Sequence, residues 1–155
     1  QVLMKAVGGK WKSYRDNLPV NGALPFLLPY EDDEKIEPVT NAWAQNNGWC
    51  WQIPTKNRRG CGYVFCDSFV TPDQAHAELE QTLGHKVEPI RHIKFDSGRQ
   101  ETLWIKNVLS IGLCAAFAEP LEATSIHTTI MQLKHFVYAC LGQTQQETCN
   151  DGTVD

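Results

Sequence analysis

Several features that identify whole classes of protein are missing from this 155-residue sequence. The formal net charge is −4, so the chain lacks the basic stripe by which proteins recognise nucleic acid. It has no run of about 18 apolar residues, so we expect no membrane span. None of its six cysteines forms a CxxC pair. The spacing typical of zinc sites is therefore absent, and we predict no metal site.

The cysteines indicate reduced thiols inside the protein. Four of them lie in apolar segments, where cysteine behaves as a small hydrophobic residue: Cys50, Cys66, Cys114 and Cys140. Buried, reduced cysteines are typical of the cytoplasm, so we expect a cytoplasmic location. A disulfide between two paired strands is the alternative that the spacing leaves open.

A β-hairpin is predicted in the middle of the chain. Residues 48–54 alternate so that Trp49, Trp51 and Ile53 lie on one face of a strand. A polar turn separates this strand from residues 61–66, which are rich in β-forming side chains. The prolines and glycines before position 40 make a helix unlikely there beyond short turns.

Two helices are predicted. Thr71 is a suitable N-cap, and Gln74 completes a capping box for a helix that ends at Gly84. The second helix begins at Thr124 or Ser125 and continues with apolar side chains at helical spacing.

Further strands are predicted between the two helices. Residues 89–95 and 101–106 read as two strands around a turn at residues 96–99. Residues 108–113 form a continuous apolar run, which is typical of a strand buried on both faces. Together with the helices, these strands predict an α+β fold.

The paired tryptophans are the first candidate for a functional element. Trp49 and Trp51 are two positions apart, so they share a face of the predicted strand. Packing in an aromatic core is the ordinary interpretation of such a pair. A wall of a binding site is the alternative.

The segment from residue 107 to residue 127 is the second candidate. An apolar strand leads through a loop of small residues to the N-terminus of a helix, where free N–H groups attract anions. Ala115, Ala116 and Ala118 would let a flat ligand approach the backbone. Glu119 and Glu122 could serve acid–base chemistry. An ordinary surface loop is the alternative interpretation.

Together these segments resemble flavin-dependent halogenases. Gly-Trp-x-Trp-x-Ile-Pro is the signature of that family, and it is intact at residues 48–54. The turn and return strand at residues 55–65 and the long stretch at residues 106–127 are also similar to family sequences. The resemblance extends from about Trp11 to about Val137.

The resemblance implies an activity and its cofactors. Members of the family use reduced FAD, O2 and chloride or bromide to halogenate tryptophan or a similar electron-rich aromatic molecule. The full-length parent would have the α/β FAD-binding fold of the flavin monooxygenase type. A separate flavin reductase would supply the reduced FAD. No nucleic-acid or membrane partner is implied, and a homo-oligomer is possible.

Matching positions to the family pattern assigns the site residues. Glu122 matches the catalytic glutamate. Thr124 and Ser125 match the residues whose backbone N–H groups bind halide. Trp49 and Trp51 match the pair that separates the flavin from the substrate. The remaining positions belong to the same two segments, namely Ile53 and Pro54 beside the tryptophans, and Gly112, Phe117, Pro120, Leu121 and Ile126 as flavin contacts.

The resemblance also implies that the chain is an internal piece of a longer protein. It begins with Gln1, and the GxGxxG motif and catalytic lysine of the family would lie upstream. Lys56, Lys94 and Lys106 do not match that lysine. We therefore expect the chain alone to bind FAD weakly, to be inactive, and to self-associate through exposed strand edges and apolar surface.

Within the chain we predict a single partial domain with three parts. Residues 1–106 form mainly the antiparallel-sheet and substrate part, residues 107–142 form the flavin- and halide-contact segment, and residues 143–155 form a loose tail. Two alternatives to a halogenase are an FAD-dependent monooxygenase of the same fold and an inactive remnant or binding module. The tryptophan pair argues against the monooxygenase.

Overall fold

The structure, a computed structural model, describes residues 2–31, 34–121 and 124–142. Its elements, in chain order, are α1 (Val2–Ala6), β1 (Trp11–Ser13), β2 (Gly22–Pro29), β3 (Asn41–Ala44), β4 (Gly48–Pro54), β5 (Arg58–Phe65), α2 (Pro72–Leu83), β6 (Ile93–Lys94), β7 (Gly98–Gln100), β8 (Trp104–Ile105), β9 (Val108–Leu109), a 3-10 turn (Gly112–Cys114), β10 (Ala116–Phe117) and α3 (Ser125–Cys140). The mixture of helices and antiparallel strands confirms the predicted α+β class.

The chain divides into two compact units. One, here called the sheet unit, is Ser13–Ser97. The other, here called the loop–helix unit, joins the residues up to Lys12 with those from Gly98 onward. The boundary thus differs from the predicted one at residue 106, because residues 98–106 belong with the segment that leads into α3. The functional roles given to the predicted parts stay predictions.

The sheet unit is built on a five-stranded sheet in the order β3-β4-β5-β2-β6, and every strand pairs with its neighbours antiparallel. Strands β4 and β5 confirm the predicted hairpin. Strand β2, which contains Pro25 and Pro29, was not predicted. Ile90 N donates to Pro25 O on the side away from β5. The N of Pro25 points to that same side, so its missing N–H costs the β2–β5 ladder nothing.

Helix α2 covers one face of this sheet. Its predicted capping box is confirmed: Gln74 N donates to Thr71 Oγ1, and Thr71 N donates to Gln74 Oε1. Gly84 ends the helix with a left-handed backbone, at φ 75. The core lies between this helix and the sheet and consists of Leu24, Phe26, Leu28, Cys50, Cys61, Tyr63, Phe65, Val70, Ala75, Leu79 and Val87.

The loop–helix unit departs most from the sequence-based expectations. Its sheets are a three-stranded β1-β7-β10 and the two-stranded hairpin β8-β9. The predicted turn at residues 96–99 is wrong, since β7 begins at Gly98. The strand predicted at residues 101–106 is reduced to β8, and the strand predicted at residues 89–95 is reduced to β6.

The predicted buried strand at residues 108–113 is wrong as well. Only Val108–Leu109 form a strand, and Leu113 is 60% exposed. The chain leaves the strand because Gly112 adopts a left-handed backbone, at φ 64, and starts the 3-10 turn. Its N–H donates to Gln132 Oε1 of α3 at 2.9 Å, so a helix side chain replaces the partner that a strand would have provided.

Helix α3 confirms the second helix and its predicted start, but none of its residues is buried. The prediction that the cysteines are buried is confirmed for Cys50 and Cys66 and wrong for Cys114 and Cys140, which are exposed. Among the described residues, no helix is long and apolar enough to cross a bilayer. The same residues contain no cluster of three His, Cys, Asp or Glu side chains suited to a metal ion.

Candidate functional site

The two tryptophans of β4 lie outside the core of the sheet unit. Alternation along β4 buries Cys50, which belongs to the core under α2, and Gln52, and turns Trp49 and Trp51 to the opposite face. Both indoles are half-buried, and their ring centroids are 6.2 Å apart with the planes tilted by 59°. Packing in an aromatic core, the ordinary interpretation of the pair, is therefore not their role in this unit.

The rest of the predicted segment follows the same alternation. Ile53 shares the tryptophan face and is 45% exposed, while Pro54 ends the strand half-buried. On β5 the cross-strand partners of Trp49, Trp51 and Ile53 are Val64, Gly62 and Gly60. Because two of these partners are glycines, the large side chains of β4 lie over a nearly bare stretch of backbone.

The turn before β4 is held by α2, and sequence reasoning missed this link. Asn46 N donates to Glu78 Oε1 at 2.7 Å, and Asn47 Nδ2 donates to Glu78 Oε2 at 2.7 Å. Burial disfavours ionisation of Glu78, but the hydrogen bonds from Asn47 and Asn46 outweigh it and lower the pKa of the carboxyl. The ionised Glu78 thus fixes the turn from which Trp49 projects. No sequence motif predicts that Asn47 and Glu78, which are 31 positions apart, form a hydrogen bond.

The core beneath the tryptophans is strongly apolar. Burial raises the pKa of the Cys50 thiol to about 12, with the neighbouring Cys61 adding to the shift. Burial likewise raises the pKa of Cys61 to about 11, against the opposing charge of Arg59. Both side chains are neutral thiols near pH 7 and serve as packing groups under the strand that carries the tryptophans.

The second group of predicted site residues lies in the loop–helix unit. Gly112, Phe117 and Pro120 are half-buried, and Leu121 and Ile126 are 54% and 75% exposed. Glu122, the predicted catalytic glutamate, lies outside the described residues. Phe117 belongs to β10, whose partner strand is β7.

The N-terminus of α3 has backbone N–H groups that can donate hydrogen bonds to a ligand. Thr124 is the N-cap, and its side chain makes no capping hydrogen bond. The first backbone bond of the helix runs from Thr128 N to Thr124 O at 3.0 Å, so the amides of Ser125, Ile126 and His127 have no intrahelical acceptor. The positive end of the helix dipole adds to these donors, and the arrangement suits an anion.

The predicted site residues that the structure describes thus fall into two groups, one within each unit. The sheet unit holds the paired tryptophans, and the loop–helix unit holds the start of α3 and the loop before it. A sequence profile of the tryptophan halogenase family matches residues 1–150 of the chain. The chain belongs to the tryptophan halogenase family. This assignment confirms the resemblance drawn from the motifs at residues 48–54 and 106–127.

Two tryptophan halogenases of this family share more than a third of the aligned residues with the chain. The chain is 37% identical over 142 residues to tryptophan 6-halogenase SttH of Streptomyces toxytricini, which covers 87% of the chain and 27% of SttH. It is 36% identical over 145 residues to tryptophan 7-halogenase RebH of Lentzea aerocolonigenes, which covers 92% of the chain and 26% of RebH. The chain thus spans about a quarter of the length of these halogenases.

The fold agrees with that of a solved halogenase. BrvH, a flavin-dependent halogenase from Brevundimonas sp. BAL3, matches with a TM-score of 0.77 and 35% identity. The match covers 86% of the chain and 27% of BrvH. The α+β arrangement of short antiparallel strands and two longer helices is therefore one that occurs within halogenases.

Proposed function

We propose that this chain forms two parts of a flavin-dependent halogenase. They are the pair Trp49 and Trp51, here called the tryptophan wall, and the N-terminus of α3, which binds the halide. The complete protein would use reduced FAD, O2 and chloride or bromide to halogenate tryptophan or a similar electron-rich aromatic molecule. One observation carries the proposal: β4 turns Trp49 and Trp51 away from the core while keeping their rings 6.2 Å apart. Family membership supports it, and nothing in the described residues favours the monooxygenase or the remnant.

The residues present fit a flat aromatic cofactor. Leu121 and Ile126 expose apolar surface on either side of the start of α3, and a ring laid over them would remove that surface from water. The left-handed Gly112 and the half-buried Phe117 lie in the same unit. These residues would hold FAD, which when bound and reduced would supply two of the four electrons that reduce O2, the other two coming from the halide, which is thereby oxidised.

Halide binding is assigned to the first turn of α3. The N–H groups that follow Thr124 have no intrahelical acceptor and can donate to a chloride or bromide ion. A backbone contact does not depend on the side chain at position 125, so Ser125 serves as well as any other residue. Thr124 and Ser125 therefore fix the halide through the main chain.

The tryptophan wall excludes water and separates the flavin from the aromatic substrate. Two indoles side by side present a continuous apolar surface, which suits a dry passage for a reactive oxidant. Glu122 would orient or activate the halogenating species beside the substrate, by holding a proton or accepting a hydrogen bond. We further propose that a separate flavin reductase supplies reduced FAD and that the protein works in the cytoplasm, where buried thiols such as Cys50 stay reduced.

The test is a halogenation assay on the complete protein with a flavin reductase, FAD, O2, chloride and tryptophan, read by mass spectrometry. We expect product with the wild-type protein and a loss of about 100-fold or more in Glu122→Gln, as is typical when an acid–base group is removed. Glu101→Gln, at an exposed glutamate of the same unit, serves as the matched control and keeps its activity. Hydroxylated tryptophan in place of halogenated tryptophan would contradict the proposal in favour of a monooxygenase.

A further inference from the structure

Gly62 lies directly beneath the indole of Trp51. The β4–β5 register pairs Trp51 with Gly62 and pairs Ile53 with Gly60, two residues along on the same face. The two glycines form a Gly-x-Gly, Gly60-Cys61-Gly62, with no nucleotide-binding motif around it. Their role is instead one of packing, because the two glycines face the side chains of β4.

At only one of the two positions is there no room for a side chain larger than that of glycine. A Cβ built on Gly62 would lie 2.0 Å from Trp51 Cη2 and 2.1 Å from Trp51 Cζ2. A Cβ on Gly60 would have Ile53 O as its nearest neighbour, at 4.0 Å. The first contact is impossible and the second is ordinary, since carbon atoms meet at about 3.5–4.0 Å.

The backbone does not require glycine at either position. Both residues lie in the extended strand β5, and neither has a positive φ. Alanine would therefore fit the backbone conformation at both positions, and the two substitutions differ only in what the new methyl group meets. At position 62 it meets the six-membered ring of Trp51, which is rigid and must move as a whole by about 1.5 Å to restore normal contact.

We propose that Gly62 is a positioning residue that seats the Trp51 indole against the sheet and thereby sets the geometry of the tryptophan wall. The inference deepens the proposed function and rests on it. With Gly62 present, the indole lies close over the backbone of β5, and its outer face, together with Trp49, forms the wall. Any side chain at position 62 pushes the indole outward, into the passage that the wall borders.

The first test reads the geometry itself, on this chain without cofactor. Two indoles in contact give an exciton couplet in far-ultraviolet circular dichroism, and Trp51→Phe identifies the part that comes from the Trp49–Trp51 pair. Gly62→Ala should lose most of that couplet, whereas Gly60→Ala should keep it. An unchanged couplet in Gly62→Ala would overturn the proposal.

A double variant keeps the proposal testable if Gly62→Ala fails to fold. The clash involves Cη2, Cζ2 and Cε2 of the indole, at 2.0, 2.1 and 2.7 Å, and phenylalanine lacks the two nearest atoms, Cη2 and Cζ2. Trp51→Phe/Gly62→Ala should therefore fold as stably as Trp51→Phe alone, which a double-mutant cycle measures as coupling between positions 51 and 62. If the double variant unfolds as readily as Gly62→Ala, the clash is not with Trp51 and the inference is wrong.

The functional test uses the complete protein. With reductase, FAD and tryptophan, Gly62→Ala should oxidise reduced flavin at about the wild-type rate but form about tenfold less halogenated product or lower, since a 1 Å misplacement near reacting atoms can cost ~100-fold. Gly60→Ala should keep both rates. Wild-type levels of product in Gly62→Ala would contradict the inference. Absence of product in the wild type, with the couplet still lost in Gly62→Ala, would instead contradict the proposed function alone.

Discussion

Cys50 and Cys61 show how strongly burial governs single residues in this protein. They lie on adjacent strands under α2, and burial raises their pKa values from 9.0 to about 12 and about 11. Their alternating, apolar setting could be predicted from the sequence, because cysteine in a β-forming run is a small hydrophobic residue. That the two thiols are close enough to influence each other follows only from the β4–β5 register.

The raised pKa values predict that the protein loses stability in alkaline solution. The unfolded thiols release their protons near pH 9, before the folded ones do, so the unfolded state binds fewer protons above that pH. The stability that the two thiols contribute is fully present below about pH 9 and is lost as the pH rises toward their pKa values in the folded protein. Each thiol then lowers the free energy of unfolding by on the order of 1 kcal/mol per pH unit. Denaturant unfolding between about pH 8 and about pH 10 measures it.

Two alanine variants separate this effect from other titrations. Cys50→Ala/Cys61→Ala should show a shallower fall of the unfolding free energy with pH than the wild type. Cys140→Ala, at an exposed thiol on α3, should keep the wild-type slope. Equal slopes in all three proteins would show that the buried thiols do not carry the dependence.

At the scale of the element, helices whose boundaries are set by local chemistry were predicted well, and short strands were not. The capping box of α2 acts within four residues, so Thr71, Gln74 and Gly84 could be read directly from the sequence. Strand β2 was missed because a strand tolerates proline only where the neighbouring strand needs no N–H donor at that position. Whether the prolines of β2 meet this condition depends on how far β6 extends along β2. The apolar run after Val108 was misread because Gly112 turns the chain.

The cap of α2 gives a prediction for stability. Thr71→Ala removes the hydroxyl that accepts from Gln74 N, and we expect the free energy of unfolding to fall by about 1 kcal/mol. Thr71→Ser keeps the hydroxyl and should stay within about 0.5 kcal/mol of the wild type. Urea denaturation followed by circular dichroism measures both. A loss of the same size in Thr71→Ser would mean that the threonine methyl group, rather than the cap, stabilises the helix.

At the scale of the whole molecule, one side of α3 exposes a row of apolar side chains. The side chains that share this side repeat at helical spacing and are between 44% and 75% exposed: Ile126, Ile130, Leu133, Val137 and Leu141. The opposite side carries Gln132, which binds Gly112, and Phe136, whose ring lies 5.7 Å from that of Trp104. Periodicity predicted the apolar side correctly, but it could not show that the described part of the chain leaves it uncovered.

This exposure predicts self-association of the isolated chain. An apolar stripe of this length on a small protein is unfavourable in water, so the average mass should rise above 17.5 kDa with concentration. Sedimentation equilibrium measures it. Ile130→Glu/Val137→Glu places charges on the stripe and should restore the monomer. His127→Glu/Lys134→Glu has the same seven-residue spacing beside the stripe and should leave the association unchanged. A monomeric wild-type chain would contradict the prediction.

The sequence by itself determined the family, the hairpin with its tryptophans, and the starts of α2 and α3. Each of these depends on contiguous residues, such as the intact motif at residues 48–54 or the capping box at Thr71. The tertiary structure alone decided which face of β4 enters the core, because α2 could have covered either face of an alternating strand. It also decided that Trp51 lies over Gly62 and that Glu78 holds the turn before Trp49. Contacts between residues far apart in sequence are set by register and packing, which local patterns do not encode.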